Sequence, residues 1–217
     1  LGHNGAGKTT LMRILATLLS PSDGDVIING ISLSKHPERI RKEVGYLPQH
    51  FHVHPQLTGY ELLDFVATMK GMKKKKDRNE MIYYWLEEVN LVDKAKEKVK
   101  TYSHGMKQRL GIAQAFIGNP SFLLFDEPTI GLDPEERLRF RRLIARESKN
   151  KPILLSTHVI SDVETCCYDV AVLQKGKLLL RSNLNELKEI AQGLVWEVQI
   201  AAKSKAVLQD YPIIFSK

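Results

Sequence analysis

Long apolar runs are absent from this sequence, and cysteine is scarce. No stretch approaches the roughly 20 consecutive apolar residues that a helix needs to cross a bilayer, so we expect any connection to a membrane to pass through a partner. The two cysteines, Cys166 and Cys167, are adjacent, which favours a pair of small helix residues, at least one packed inward, over a structural disulfide. Nothing in the cysteine usage indicates an oxidising compartment.

Acidic side chains are fewer than basic ones, and the net charge of the 217 residues is +7. This excess permits a nucleic-acid partner, an anionic membrane surface or simply a basic protein. The densest basic run, residues 73–76, comes shortly after a glycine and directly before Asp77, and it is interpreted as a solvated loop. Charge alone does not decide the function.

Apolar residues alternate between strand spacing and helix spacing along the chain. Strands are predicted at 26–28, where Asn29-Gly30 forms a tight turn, at 44–47, 122–125 and 153–155, and as a closing hairpin at 170–173 and 178–180. Helices are predicted at 10–19, 60–69, 81–89, 109–118 and 135–149, and Ser161 with Glu164 is interpreted as a capping box that opens another. A further strand is predicted at 194–200.

These elements predict an α/β fold that has a mostly parallel sheet flanked by helices, an inserted helical sub-domain and a small antiparallel β portion. The expected division is residues 1–49 and 119–181 for the α/β core and 50–118 for the helical sub-domain. Residues 182–217 form a C-terminal extension, in which an accessory domain can begin.

The first residues match the phosphate-loop pattern G-x-x-x-x-G-K-[ST], which predicts that the α/β core is a P-loop NTPase core. Its glycines let the backbone N–H groups turn towards phosphate oxygens, and the helix that follows adds its positive dipole end. Lys8 is expected to reach the β- and γ-phosphates, and the Thr9 hydroxyl is placed to bind Mg²⁺. Because the chain begins at Leu1 inside the strand that should feed this loop, we expect the natural N-terminus to lie upstream. The predicted ATP-binding residues are Asn4, Gly5, Ala6, Gly7, Lys8, Thr9 and Thr10.

Two carboxylates follow the apolar run 122–125. A buried parallel strand would release Asp126 and Glu127 at its C-terminal end, where open α/β sheets bind their ligands. Asp126 is expected to help hold Mg²⁺, and Glu127 to polarise the attacking water as a general base. An Asp-Glu pair after a strand is ordinary by itself, and only its combination with the phosphate loop gives it this meaning.

Residues 103–109 narrow the class, because they resemble the signature sequence of ABC ATPases, usually Leu-Ser-Gly-Gly-Gln. Ser103 lies at a predicted helix N-terminus, which is a second anion site on the chain. The resemblance implies that two subunits pack head-to-tail, each signature helix capping the ATP held by the other subunit's phosphate loop. The residues expected at the partner's ATP are Ser103, His104, Gly105 and Met106.

Further landmarks of the family occur in the expected order. Gln49 resembles the glutamine that contacts Mg²⁺ and the water and links to the membrane partner, and His158 resembles the histidine that senses the γ-phosphate. The segment 128–134 resembles the loop at the dimer seam, where Asp133 is expected. Residues 102–109 together with 131–134 look like the exporter group for peptide antibiotics, drugs, lantibiotics or sodium.

The resemblance covers about residues 1–190 and implies an ATP-hydrolysing subunit that uses ATP and Mg²⁺. It also implies a second nucleotide-binding subunit, a transmembrane permease, and a peripheral location at the cytoplasmic face of the cell membrane. Two features depart from the family pattern. His104 stands where many members have glycine, and the aromatic residue that stacks on adenine would precede Leu1.

Two other functions are compatible with parts of the sequence. A non-transport ABC ATPase acting on nucleic acid or ribosomes is permitted by the charge, but only about 95 residues separate Lys8 from Ser103, with no sustained heptads for a coiled coil. A small-molecule kinase would explain Lys8 but neither Ser103 nor Glu127. No nucleic acid is therefore expected as a partner.

Three histidines alternate with other residues just after Gln49. Such spacing would place them on one side of an extended segment, but no cysteine or carboxylate cluster lies beside them. We favour a place in the groove that receives a coupling helix of the membrane subunit over a metal site. The three residues are His50, His52 and His54.

Overall fold

The computed structural model describes residues 1–191. The strand predicted at 194–200 lies outside them, as does most of the predicted extension. The helices in the described part are α1 Lys8–Leu15, α2 Pro37–Glu43, α3 Gly59–Met69, α4 Lys75–Glu88, α5 His104–Phe116, α6 Pro134–Glu147, α7 Ile160–Cys166 and α8 Leu184–Ala191, with two 3₁₀ turns at Val92–Lys94 and Val99–Thr101. The strands are β1 Ile27–Ile28, β2 Ile31–Ser32, β3 Val44–Leu47, β4 Phe122–Asp126, β5 Ile153–Ser156, β6 Asp169–Gln174 and β7 Lys177–Asn183.

A parallel sheet with the order β3-β4-β5 forms the centre, and antiparallel pairs β1-β2 and β6-β7 flank it. The three helices α3 to α5 are inserted between β3 and β4. The α/β class, the parallel core, the helical insertion and the antiparallel portion are therefore confirmed. Every helix of the described residues is too short or too polar to cross a membrane.

The two faces of β4 pack against different helices. Its residue Leu124 lies in one apolar cluster with Met12 of α1, whereas its neighbours Leu123 and Phe125 lie in another with α5 and α6. Successive side chains of a strand point to opposite faces of the sheet. The helix that follows the phosphate loop and the helix that begins at the signature sequence therefore cover opposite faces.

Leu1 is hydrogen-bonded to β6 in the manner of a parallel strand. Its amino group donates to the Ala171 carbonyl at 2.6 Å, and its carbonyl accepts from the Leu173 amide at 2.8 Å. A cleft of about 470 Å³, lined largely by apolar residues of β5 and β6, begins beside it. Leu1 thus enters the phosphate loop from a strand position next to β6.

Tight turns and buried helix faces agree with several predictions. Asn29 and Gly30 both have positive φ, 50° and 75°, as a two-residue hairpin turn requires. On α6, predicted at 135–149, the apolar spacing predicts that Phe140, Leu143 and Ile144 face inward, and all three are buried. Cys166 ends α7 and Cys167 follows it, both half-buried free thiols.

Three predictions of local structure were wrong. The helix predicted at 10–19 ends at Leu15, because Thr17 adopts φ 61° and the next two amides turn back to the Arg13 carbonyl at 2.8 and 3.2 Å. The lysine run is exposed, but its second half opens α4 instead of remaining a loop, since lysine is a good helix former. Ser161 does not cap α7, which begins one residue earlier; its hydroxyl accepts from Arg141 at 2.9 Å.

Candidate functional site

The phosphate loop connects Leu1 to the first turn of α1. Gly7 is the N-cap of α1 with φ 104°, and a Cβ there would lie 3.4 Å from the Gly176 Cα, so glycine suits both the turn and the close approach. The Lys8 ammonium donates to the Gly2 carbonyl at 2.6 Å and to the His3 carbonyl at 3.2 Å. The Lys8 side chain thereby folds back over the phosphate loop. Its ammonium group lies at the N-terminus of α1, where an anion would bind.

Asp126 is fully buried at the C-terminal end of β4. Ser156, its register partner on β5, donates a hydroxyl hydrogen bond to Asp126 Oδ1, whereas Oδ2 has no protein partner. Burial raises the pKa of the neighbouring Tyr46 to about 12, and the Asp126 charge adds to this shift, so the phenol stays neutral. One carboxylate oxygen is thus held in place while the other remains available for a ligand.

Glu127 lies next to Asp126 and forms a pair with His158. Glu127 is 4% exposed, its backbone has φ 53°, and its Oε1 lies 3.0 Å from Nδ1 of the half-exposed His158. Its Oε2 is buried without a protein partner. A left-handed φ in a residue other than glycine costs roughly 1–3 kcal/mol and tends to occur at functional sites.

The signature sequence begins α5. The Ser103 hydroxyl caps the helix by accepting from the Met106 amide at 3.2 Å, and its side chain is exposed. The His104 ring lies against Gly131, where a Cβ would come within 2.3 Å of the imidazole carbon Cδ2. The imidazole therefore occupies the space that a side chain at position 131 would need, and it ties the signature to the loop after Glu127.

Two other predicted residues lie at element ends. Gln49 is exposed just after β3. Asp133 is the N-cap of α6, where its Oδ1 accepts from the Glu136 amide at 2.9 Å. Asp133 thus has a local structural role that its prediction as a dimer-seam residue did not include.

Several buried polar residues around the carboxylates were not singled out by sequence reasoning. The Gln108 amide, 4% exposed on α5, donates to the Pro128 carbonyl at 3.0 Å. Thr129 donates to Asp162 at 2.6 Å, and both are 1% exposed. Their partners are distant in sequence, and the one available signal was that polar residues follow the ends of β4 and β5.

The structure brings Asp126, Glu127 and His158 together at the carboxyl edge of the sheet, beside β3, which leads to Gln49. It holds Ser103 on the helix that covers the opposite face from α1. Among the described residues, no group of three or more His, Cys, Asp or Glu side chains is arranged to hold a metal ion by itself. This applies to the three histidines after Gln49 as well.

Comparison with known protein families gives a match over residues 1–130 to the family described as ABC transporter. Among curated proteins, the chain is 37% identical over 214 residues to an uncharacterized ABC transporter ATP-binding protein, YxlF, of Bacillus subtilis (strain 168). That alignment covers 99% of this chain and 70% of the relative. The chain is also 39% identical to rat ATP-binding cassette sub-family A member 2 over 82% of its length, which is 7% of that protein.

Solved structures give the same result. One described as the ATP binding subunit of an ABC transporter superposes with a TM-score of 0.80 at 30% identity, covering 88% of this chain and 80% of the other. A second, described as a dimeric post-hydrolysis state of the ATP-binding cassette MJ0796 bound to ADP and Pi, has a TM-score of 0.78 at 26% identity, covering 84% of this chain and 83% of the other.

Proposed function

The chain belongs to the ABC transporter family of ATP-binding proteins and is an ATPase, and from this premise we propose that it works as half of a head-to-tail pair of ATP-binding subunits. Each pair holds two Mg-ATP, and the phosphate loop of one subunit and the signature helix of the other enclose each nucleotide. Closure and opening of the pair drive a membrane partner.

The arrangement of the two anion-binding helix ends carries this proposal. Lys8 begins α1 on one face of the sheet, and Ser103 caps α5 on the opposite face. A triphosphate on the N-terminus of α1 and the anion site at the N-terminus of α5 therefore belong to helices that cover opposite faces of the sheet. A second copy that turns its own Ser103 towards this nucleotide supplies the missing contact, in keeping with the dimer reported for MJ0796.

The residues near Asp126 fit a magnesium ion. Mg²⁺ prefers oxygen ligands and is held by one or two carboxylates together with phosphate oxygens and water. Thr9 offers a hydroxyl, Gln49 an amide oxygen, and Asp126 a buried carboxylate oxygen that lacks a protein partner. When bound, the ion would neutralise charge that develops on the phosphate oxygens.

Glu127 and His158 are proposed to perform the proton chemistry. Glu127 Oε2 accepts a proton from the attacking water, the new bond forms to the γ-phosphorus, and the bond to the ADP oxygen breaks. His158 holds the other oxygen of Glu127 at 3.0 Å, and its exposed ring is free to approach the γ-phosphate. Lys8 leaves its loop carbonyls and binds the β- and γ-phosphates.

The helical insertion is proposed to transmit this movement to the membrane partner. Residues 50–118 then form the sub-domain that bears the signature, while 1–49 and 119–181 form the ATPase core. Gln49 at their junction contacts the partner, and the subunit lies peripherally at the cytoplasmic face of the membrane. Transport is proposed to be export, because residues 102–109 and 131–134 resemble the exporter group.

Replacing Glu127 by Gln tests the proposal directly. We expect Glu127→Gln in the complete protein to lower kcat by about 10²–10⁴-fold, because the amide cannot accept the proton of water. ATP binding should persist, and gel filtration with ATP and Mg²⁺ should show a trapped dimer. The matched control is Glu80→Gln, an exposed carboxylate on α4 that should leave both properties unchanged. If Glu127→Gln hydrolysed ATP at the wild-type rate, Glu127 would not be the general base.

A further inference from the structure

Asp162 is a buried carboxylate in the first turn of α7, and three donors point at it. It is 1% exposed. The Thr129 hydroxyl donates to Oδ2 at 2.6 Å, while Arg141 donates to Oδ1 from Nε at 3.0 Å and from Nη2 at 2.5 Å. Both carboxylate oxygens are therefore occupied by donors that come from two different elements.

Such a cluster is not explained by stability alone. Burying a carboxylate and a guanidinium removes both from water, and apolar residues of the same volume often stabilise a core as well. Charge-assisted bonds to an arginine fork do, however, fix the relative geometry of the groups they join. Asp162 therefore fixes the relative positions of the segments from which its donors come.

The carboxylate joins the two loops that carry the catalytic pair. The ladder between β4 and β5 ends at Asp126 and Ser156. Beyond it, residues 127–133 form the loop that carries Glu127 and Thr129. Residues 157–159 form the loop that carries His158 and leads into α7, where Asp162 lies. The Glu127–His158 contact and the Thr129–Asp162 bond thus cross the same gap, and only the first of them consists of groups that must change partner during hydrolysis.

Arg141 adds a third attachment. It lies on α6, which follows the loop of Glu127, and its side chain is 19% exposed. Arg141 therefore bonds to Asp162 from α6, the helix that follows the loop of Glu127. As a result, α6, α7 and Thr129 are joined through one carboxylate.

We propose that Asp162 is a positioning residue for ATP hydrolysis, because it holds the Glu127 loop and the His158 loop at a fixed separation through Thr129 and Arg141. This inference rests on the proposed roles of Glu127 and His158. Both oxygens of Asp162 accept hydrogen bonds from Thr129 and Arg141, so the carboxylate acts through these residues. Its effect is to keep Glu127 Oε2 aimed at the attacking water while the His158 contact breaks and forms.

Steady-state kinetics of Asp162→Asn in the complete protein test the proposal. Asparagine keeps the shape but loses the charge that pairs with Arg141. We expect kcat to fall roughly 10- to 100-fold, the range that a displacement of about 1 Å produces, with the KM for ATP within about 2-fold. The control is Asp64→Asn, which removes the partly buried pair with Arg78 between α3 and α4, where the nitrogen–oxygen distance is 2.6 Å. It should leave kcat unchanged.

A second pair of variants covers the case in which Asp162→Asn does not fold. Thr129→Val removes the hydroxyl and keeps the shape, so kcat should fall while KM stays constant. Thr129→Ser keeps the hydroxyl and should retain kcat within about 3-fold, since only a methyl group is lost. The proposal would be overturned by a rise in the KM for ATP in Thr129→Val or Asp162→Asn, or by an unchanged kcat in both of them. It would also be overturned if Thr129→Val and Thr129→Ser lost the same fraction of kcat.

The same substitutions in a Glu127→Gln background separate this proposal from the one on which it rests. Without the general base, the position of residue 127 no longer matters, so neither Asp162→Asn nor Thr129→Val should lower the residual single-turnover rate further. Equal losses in both backgrounds would make Asp162 a general structural residue. Full activity of Glu127→Gln would instead refute the proposed role of Glu127 as the general base, on which this inference rests.

Discussion

Glu127 is the buried carboxylate on which the proposed hydrolysis depends. An apolar run followed by two carboxylates was enough to predict that Asp126 and Glu127 emerge at the end of a buried strand. The left-handed backbone of Glu127, with φ 53°, and the bond to His158 depend on where the next strand ends. Gln108 and Asp162 carried no local signal, because their partners lie 20 and 33 residues away.

Asp25 gives a prediction at the residue scale. Hydrogen bonds from the Ser32 hydroxyl, and then from the Ser34 and Val26 amides, lower the pKa of this carboxyl from 3.8 to about 2. A lowered pKa in the folded state means that Asp25 stabilises the fold above its unfolded pKa, and that this contribution is lost as the pH falls through the folded value. We expect wild type to be more stable than Asp25→Asn from pH 7 to 5, with the difference shrinking between pH 4 and 2. Urea unfolding at each pH measures it, and a difference independent of pH would contradict this account.

At the scale of elements, the sequence predicted which helices and strands exist better than where they end. The continuous apolar run of β4 and the period of α6 were clear because both elements face the core. The end of α1 depends on one left-handed residue, Thr17, for which the sequence gives no special reason. The start of α4 inside a lysine run depends on packing further along that helix, where Ile82, Trp85 and Leu86 are buried.

The contact between β3 and α5 leads to a prediction about two glycines. A Cβ on Gly45 would lie 1.8 Å from the Ala115 carbonyl oxygen, so the strand and the helix would have to separate. On Gly111 it would meet the Leu47 methyl at 2.6 Å and the Phe51 ring at 2.9 Å, which are side-chain atoms that can move. We expect Gly45→Ala to lower the free energy of unfolding by about 3 kcal/mol.

The Gly111→Ala variant is the comparison. Alanine inside a helix gains about 1 kcal/mol over glycine, which offsets much of the overpacking, so the net loss should stay below about 1 kcal/mol. Chemical denaturation of the two variants side by side measures the difference. Equal losses would mean that α5 does not approach the β3 backbone as closely as the structure places it.

At the scale of the whole molecule, the two helices whose N-termini suit an anion cover opposite faces of one sheet. The apolar run of β4 indicated burial on both faces, but not that α1 covers one face and α5 the other, because this depends on how the chain crosses between strands. The net charge of +7 adds nothing to this choice. The proposed pairing rests on the placement of Lys8 and Ser103 and on the family, while Asp126 and Glu127 after β4 are proposed to supply the chemistry.

The proposed pairing predicts that two differently disabled copies repair one another. A Lys8→Ala copy lacks the phosphate-binding ammonium. A Ser103→Asp copy keeps the helix cap, since aspartate also accepts from the Met106 amide, but it opposes the partner's phosphate with a negative charge. In a mixed dimer, the intact Lys8 of one copy meets the intact Ser103 of the other, so one of its two sites is complete.

Equal mixing should restore about one quarter of the wild-type number of intact sites, since half of the dimers are mixed. Each copy alone should stay inactive in ATP hydrolysis with the membrane partner present. A mixture no more active than its separate components would contradict this arrangement, because a signature that served its own chain's nucleotide could never be repaired by another copy.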